Sequence, residues 1–303
     1  HENALYDLAY CLEITGELEN SIEYYKKFID EDPYSEYAWF NLGNIYMKLD
    51  QFENAVEAFE FSIAIDEEYS SAYINISEAL IKLEKFDQAK KYLDRSLSLD
   101  GPSPEIYSCL GNVNFYLEDY STSISFYQKS IKIDQMFKES SFGLGRSLSK
   151  LDKWFDAIHF FKKAYKIDNK NIEYVKSLAY AEFKVGNLVS SIDLYSKAVE
   201  MQPDDYKLSL DFSLIYYESG NIDKAIDIID QAIEESPGES LLYYRLVIYL
   251  MDAGRYKESI NVLESALSLN FDNHDVLFDF VPNFESQSAL IRVINQFKNS
   301  GNR

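Results

Sequence analysis

Nucleophiles and metal ligands are scarce in this chain: two cysteines, Cys11 and Cys109, and three histidines, His1, His159 and His274, in 303 residues. No histidine has a cysteine or a second histidine at ligand spacing, so the sequence predicts no zinc site. Two further patterns invite a chemical reading. Gly143-Leu144-Gly145-Arg146-Ser147 has the glycines of a phosphate-cradling loop, and Asn75-Ile76-Ser77 fits a glycosylation acceptor. No strand precedes the first and the second lies in a helical pattern, so both are read as accidents of local sequence. Adjacent carboxylates, Glu67 with Glu68 and Asp204 with Asp205, fall between helical stretches, where acidic residues cap helix N-termini. General acid–base work needs a desolvated cleft to shift a pKa, which an open helical array rarely provides. The expectation is a protein without catalytic residues, metal or cofactor.

The elements that carry these residues recur every 34 positions from Glu2 to about Asn273, without insertion or deletion. One column of the repeat holds Ala9, Gly43, Ser77, Gly111, Gly145, Ala179, Ser213 and Val247. A second, twelve residues on, holds only small residues: Ser21, Ala55, Ala89, Ser123, Ala157, Ser191, Ala225 and Ser259. Small residues locked at one period mark close helix contact. Large columns lie beside them, including Tyr25, Phe59, Leu93, Tyr127, Phe161, Tyr195, Ile229 and Leu263. Such a period means stacked supersecondary units, none of which can bury its apolar face alone. Cys11 and Cys109 then stand three repeats apart, too far for a disulfide, and both are read as small, buried or half-buried residues.

Inside the first repeat, Leu5, Leu8, Ala9 and Leu12 form a helical stripe ending at Gly16, and Ile22, Tyr25, Phe28 and Ile29 form a second one ending at Pro33. Each repeat is thus two antiparallel helices, near 2–15 and 18–31 and every 34 residues after. The turn between them carries Gly16, Gly186, Gly220 and Gly254 in four repeats but Asp50, Glu84, Glu118 and Asp152 in the others. Glycine tolerates a left-handed backbone there. The acidic residues need either a different turn or a strained one, and the sequence leaves both open.

The pattern resembles the tetratricopeptide repeat (TPR), whose signature stands nearly whole at Trp39, Leu42, Gly43, Tyr46, Ala55 and Phe59, with the closing proline kept at Pro33, Pro203 and Pro237. The resemblance implies an all-α, right-handed solenoid of antiparallel helix pairs. Its repeats are 2–35, 36–69, 70–103, 104–137, 138–171, 172–205, 206–239 and 240–273, one continuous array, with 274–303 as a degenerate ninth repeat that caps the end. In that last segment Leu277, Phe280, Val281 and Phe284 keep the first-helix register, Pro282 would break it, Val293 and Phe297 resume the second-helix register, and 299–303 trail into solvent. The chain looks like the long, acidic, tyrosine-rich arrays common in bacteria. Because it opens directly in a helix, without a polar cap, a fragment of a longer array is expected.

Family resemblance also implies a non-catalytic protein-binding scaffold, holding a peptide or extended partner segment against the concave face of the first helices. The fifth and ninth positions of those helices are Tyr6 and Tyr10, Phe40 and Asn44, Ile74 and Glu78, Ser108 and Asn112, Phe142 and Arg146, Lys176 and Tyr180, Leu210 and Leu214, and Tyr244 and Ile248. Asn41 and Asn75 adjoin them and suit a peptide backbone. The two-carboxylate clamp of one TPR branch is absent, since Phe40 replaces its lysine and Glu105 and Cys109 its basic pair.

Charge bounds the partner. A formal net charge of −22, from 29 basic and 51 acidic residues, argues against nucleic acid. The charge is uneven: repeat one has nine acidic residues against Lys26 and Lys27, whereas repeat five has four against eight basic ones. Arg146, Lys150 and Lys176 fall on or beside the expected groove, as a solvated face or as a docking point for an acidic segment of the partner. No apolar run approaches the ~20 residues of a membrane span, and a cytoplasmic protein is expected. Two alternatives stand beside the scaffold: a targeting or regulatory arm of an enzyme whose catalytic domain lies upstream, and self-association through the uncapped first helix, which leaves Leu5, Leu8 and Leu12 needing cover.

Overall fold

The computed structural model describes residues 4–280 and 287–300, and among these every regular element is a helix. They come in pairs: α1 (Ala4–Thr15) with α2 (Leu18–Glu31), α3 (Glu36–Lys48) with α4 (Phe52–Ile65), α5 (Ser70–Lys82) with α6 (Phe86–Asp100), α7 (Pro104–Tyr116) with α8 (Tyr120–Ile133), and α9 (Lys138–Lys150) with α10 (Trp154–Ile167). The series continues with α11 (Ile172–Lys184) and α12 (Leu188–Met201), α13 (Tyr206–Glu218) and α14 (Ile222–Glu235), and α15 (Ser240–Asp252) and α16 (Tyr256–Leu269). From α2 onward the starts of both series keep the 34-residue spacing of the sequence. The chain forms two compact units, His1–Ile167 with α1 to α10 and Asp168–Arg303 with the remainder.

Hydrogen bonds establish that the pairs are antiparallel. Ser123, near the start of α8, donates to the Gly111 carbonyl well along α7, while Ser130, near the end of α8, donates to Pro104 at the start of α7. Ser21 bonds Ala9 in the same way, so hydroxyls of the second small column fasten the two helices where their backbones come closest. Elsewhere the column varies: Ser259 bonds its own helix, and the buried Ser191 hydroxyl has no partner among the described residues.

The turn inside each pair has one geometry whatever residue occupies it. The glycines stand at φ of 85° (Gly16), 83° (Gly186 and Gly220) and 75° (Gly254), and the acidic residues at 55° (Asp50), 58° (Glu84), 61° (Glu118) and 56° (Asp152). Of the two possibilities left open by sequence, the acidic residues therefore take the strained one. The reason lies in the hydrogen bonds that close the turn. The amide one residue further on reaches back to the carbonyl five residues earlier, as in Gln51 to Tyr46, Lys85 to Leu80 and Lys153 to Leu148, which needs a left-handed residue in between. The loops between repeats use carboxylates differently. Asp66 and Asp134 accept from the backbone N–H two residues on, at 3.0 and 2.8 Å, and Asp205 caps α13 through the Lys207 N–H.

Glycines in the first column make room for aromatic rings. A Cβ on Gly43 would stand 2.5 Å from the Phe59 ring, and one on Gly145 would stand 2.7 Å from Phe161. Tyr127 is enclosed on two sides: a Cβ on Gly111 of its own repeat would approach it to 2.6 Å, and one on Gly143 of the next repeat to 2.3 Å. The glycines of the apparent phosphate loop are thus spacers inside α9. Asn75, of the apparent glycosylation acceptor, lies on α5 with its side chain bonded to Asn44.

The ninth repeat departs from its pattern. A 3₁₀ turn (Phe271–Asp275) leads into α17 (Val276–Phe280), a helix of five residues in which Leu277 is buried, and α18 (Ser288–Ser300) packs on α16. Val281, Pro282 and Phe284 lie outside the described residues. Leu290 and Ile294 join the core of the second unit, with Val293 and Phe297 packed against it. Asn299 belongs to α18 instead of trailing from it, because the helix continues to Ser300.

Candidate functional site

The first helices of the first unit carry most of the residues expected to line a groove. At the N-terminal end, Tyr6 meets Tyr25 and Phe28 edge to face, each at 5.5 Å, and its hydroxyl accepts from the Asn41 amide at 2.7 Å. Asn41 also donates to the Tyr25 hydroxyl, so this amide is engaged by its own chain. Tyr10 is half exposed, and Phe40 packs between Phe59 and Tyr69. Further along, the Asn75 amide donates to Asn44 Oδ1 at 2.7 Å, and Asn112 Oδ1 accepts from the buried Tyr127 hydroxyl at 2.6 Å. Those bonds leave the Asn44 and Asn112 amide N–H groups and the Asn75 carbonyl oxygen with no protein partner among the described residues.

Between Asn75 and Asn112 the face deepens into a recess of about 270 Å³. Its walls are successive first helices: Ile74, Asn75 and Glu78 from α5, Glu105, Ser108, Cys109 and Asn112 from α7, and Phe137 with Glu139 at the start of α9. The Cys109 thiol donates to Glu78 Oε1 at 3.6 Å. Glu78 is exposed at its edge, yet protein atoms crowd its carboxyl and raise its pKa above the ordinary value. The Cys109 hydrogen bond and Lys82 act against that rise, and Glu139 adds to it. Burial, and then Glu78, push the Cys109 thiol well up.

The two cysteines are therefore unlike. Cys11 is exposed, contrary to the sequence expectation, because no described helix packs on that face of α1, whereas the same column is fully buried at Ile45, Ala79 and Val113; Cys109 is buried. A thiol reagent such as DTNB at pH 7 should label one equivalent in the native protein, Cys11→Ser should abolish that signal, and a second equivalent should appear only on unfolding. Labelling of Cys109 in the folded Cys11→Ser variant would contradict this packing.

Phe142 lies against Phe161 at 5.7 Å, and the Arg146 guanidinium lies over the Phe115 ring at 4.2 Å. Lys150 is exposed in the last turn of α9. In the second unit, Lys176 pairs with Glu173 at 3.5 Å and also acts on Asp211, whose pKa is raised mainly by desolvation. Tyr180 is exposed, beneath the Lys184 ammonium at 5.2 Å. Tyr244 offers no surface at all. It is fully buried and donates to the Asn270 carbonyl at 2.8 Å, because the irregular chain after α16 covers a position that most other repeats leave half-buried.

The recess adds residues absent from the expected groove, namely Ser71, Glu105, Cys109, Phe137 and Glu139. Glu105 and Glu139 occupy the second helical position, one turn before the fifth and sixth, and the i, i+3, i+7 spacing that groups them was present in the sequence. Phe137 precedes its helix and carried no such signal. Among the described residues no group of three His, Cys, Asp or Glu side chains could hold a metal ion, and no helix is long and apolar enough to cross a membrane.

Comparison with known proteins agrees with this architecture. Three sequence models described as tetratricopeptide repeat match the chain, one at 36–69, one at 182–247 and one at 2–35, 70–102 and 241–273. Together they span more than half of it, and α7 to α10, between the matched stretches, keep the same spacing. No curated protein matches at a significant level. Among solved structures, a chain of the APC/C hetero-tetramer Cut9–Hcn1 is similar with a TM-score of 0.68 at 19% identity, over 80% of this chain and 48% of that one. The present chain thus spans about half the length of that relative. The MamA protein is similar with a TM-score of 0.50 at 23% identity, over 59% of this chain and 98% of that one. With its period, its paired helices and these matches, the chain belongs to the tetratricopeptide repeat family.

Proposed function

We propose that the protein is a non-catalytic scaffold whose first-helix face, in the first unit, holds an extended segment of a partner protein. The observation that carries this reading is the row Asn44, Asn75 and Asn112, whose unspent N–H and carbonyl groups match those of a peptide backbone. Half-buried Tyr6, Phe40 and Phe142 along the same face supply the aromatic surface that usually dominates interface energy. Of the basic residues expected to meet an acidic segment, Arg146 stays on this face, whereas Lys176 is occupied by Glu173 and Asp211.

Affinity capture from a lysate with the wild-type chain, read by mass spectrometry, should recover a partner that the Asn44→Ala, Asn75→Ala, Asn112→Ala variant binds about tenfold more weakly or worse. Arg146→Glu should weaken the same complex and reduce its salt dependence, and Lys176→Glu should do little. Charge reversals at Glu19 and Glu53, exposed on the second helices, should leave it unchanged. A partner lost on those reversals and indifferent to the asparagines would place binding on the other face.

A further inference from the structure

We infer that the recess between α5, α7 and α9 receives a lysine or arginine side chain of the bound segment, which makes the groove selective for a basic residue at that point. This rests on the proposed use of the first-helix face and names the chemistry of its guest. Three successive first helices each contribute a carboxylate, Glu78, Glu105 and Glu139, and no lysine, arginine or histidine stands in the lining to answer them. The volume of about 270 Å³ far exceeds that of a single water, so a side chain can enter.

The walls suit both parts of a long cation. Ile74 and Phe137 offer apolar surface to a methylene stem, while Ser108 and the glutamates offer acceptors to a charged head. A metal ion is a poorer guest, because the carboxylates do not converge into a group that could hold one. The occupied state also relieves a cost visible in the empty one. The Glu78 carboxyl is desolvated and faces the field of Glu139, with Lys82 one turn away as the opposing charge, and a guest cation would favour its ionised form. At long range the net charge of −22 draws basic segments toward the surface.

The test uses a phage library of random dodecapeptides selected on the immobilised full chain, followed by fluorescence anisotropy with the enriched peptides. Enriched peptides should share a lysine or arginine at one position. Replacing it by norleucine should weaken binding about tenfold or more, and the Glu78→Gln, Glu105→Gln, Glu139→Gln variant should bind the parent peptide correspondingly weakly while keeping its circular dichroism spectrum. The norleucine peptide leaves the protein untouched, so it decides the matter even if the triple variant misfolds. Peptides that lose binding on Asn112→Ala yet show no basic residue and no response to the glutamine changes would overturn the cation recess and leave the groove standing. Peptides indifferent to both sets, or no enrichment at all, would overturn the two readings together.

Discussion

Gly143→Ala is expected to destabilise the first unit by a net of about 1–2 kcal/mol, although alanine is the better helix former by nearly 1 kcal/mol. The added methyl would stand 2.3 Å from Tyr127 Cζ and 2.6 Å from its hydroxyl oxygen. The ring has no slack toward its own repeat, because it already packs on the backbone of Gly111, where a Cβ would stand 2.6 Å from Cε1. Moving along the slot costs the hydrogen bond to Asn112 instead. Urea unfolding followed by circular dichroism should show the midpoint fall. Tyr127→Leu, which imports the combination of Leu93 with Cys109 that stands 34 residues earlier, should make the alanine at 143 far less harmful, since residues that share a contact do not add. An unchanged or raised midpoint for Gly143→Ala would show that the slot is looser than its distances imply.

The second large effect has the opposite sign. Changing Asp50, Glu84, Glu118 and Asp152 together to glycine should stabilise the first unit by about 2–4 kcal/mol. A left-handed residue with a side chain costs about 1–2 kcal/mol, against roughly 0.4–1 kcal/mol for the extra freedom of glycine in the unfolded chain. The four sites are exposed and 34 residues apart, so the increments should add. Asp152→Gly should gain least, because Asp152 Oδ1 accepts from the Trp154 indole at 3.2 Å and that bond is lost. The reverse change, Gly186→Asp, should cost about as much as one forward change gains. Urea midpoints of the single and combined variants measure both, and a quadruple variant no more stable than wild type would mean that the carboxylates repay their strain elsewhere.

Most of the fold could be read from the sequence because it repeats. Eight aligned copies of each column average out local noise, so the positions of α2 to α16 follow from the period alone. The turn was ambiguous because a carboxylate does not announce its backbone angle, and only the reach of Gln51 back to Tyr46 shows that the left-handed form is required. The ninth repeat was the least legible stretch, since Leu277 and Phe280 keep the first-helix register but enter it through a 3₁₀ turn that the pattern does not contain. The site divides along the same line. Asn44 and Asn112 were named because the family resemblance puts the ninth position of each first helix in the groove, with Asn75 adjoining, and that rule is local to one helix. Tyr244 was misplaced because its cover, the chain at Asn270 where the eighth repeat passes into a 3₁₀ turn, follows no column of the pattern, and the acidic recess was missed because it needs three helices at once.

The hydroxyl of the large second-helix residue chooses a different partner in different repeats. Tyr25 accepts from Asn41 of the following repeat, whereas Tyr127 donates to Asn112 of its own and leaves the following repeat only room for Gly143. Two repeats with the same outline therefore carry different edges. Exchanging the second and fifth would set Asn41 against Tyr127 and Gly143 against Tyr25, with a crowded seam at one place and an orphaned phenol at the other. The order of the modules is written into their borders, so a chain of like-shaped segments reads as a sentence whose words cannot be permuted.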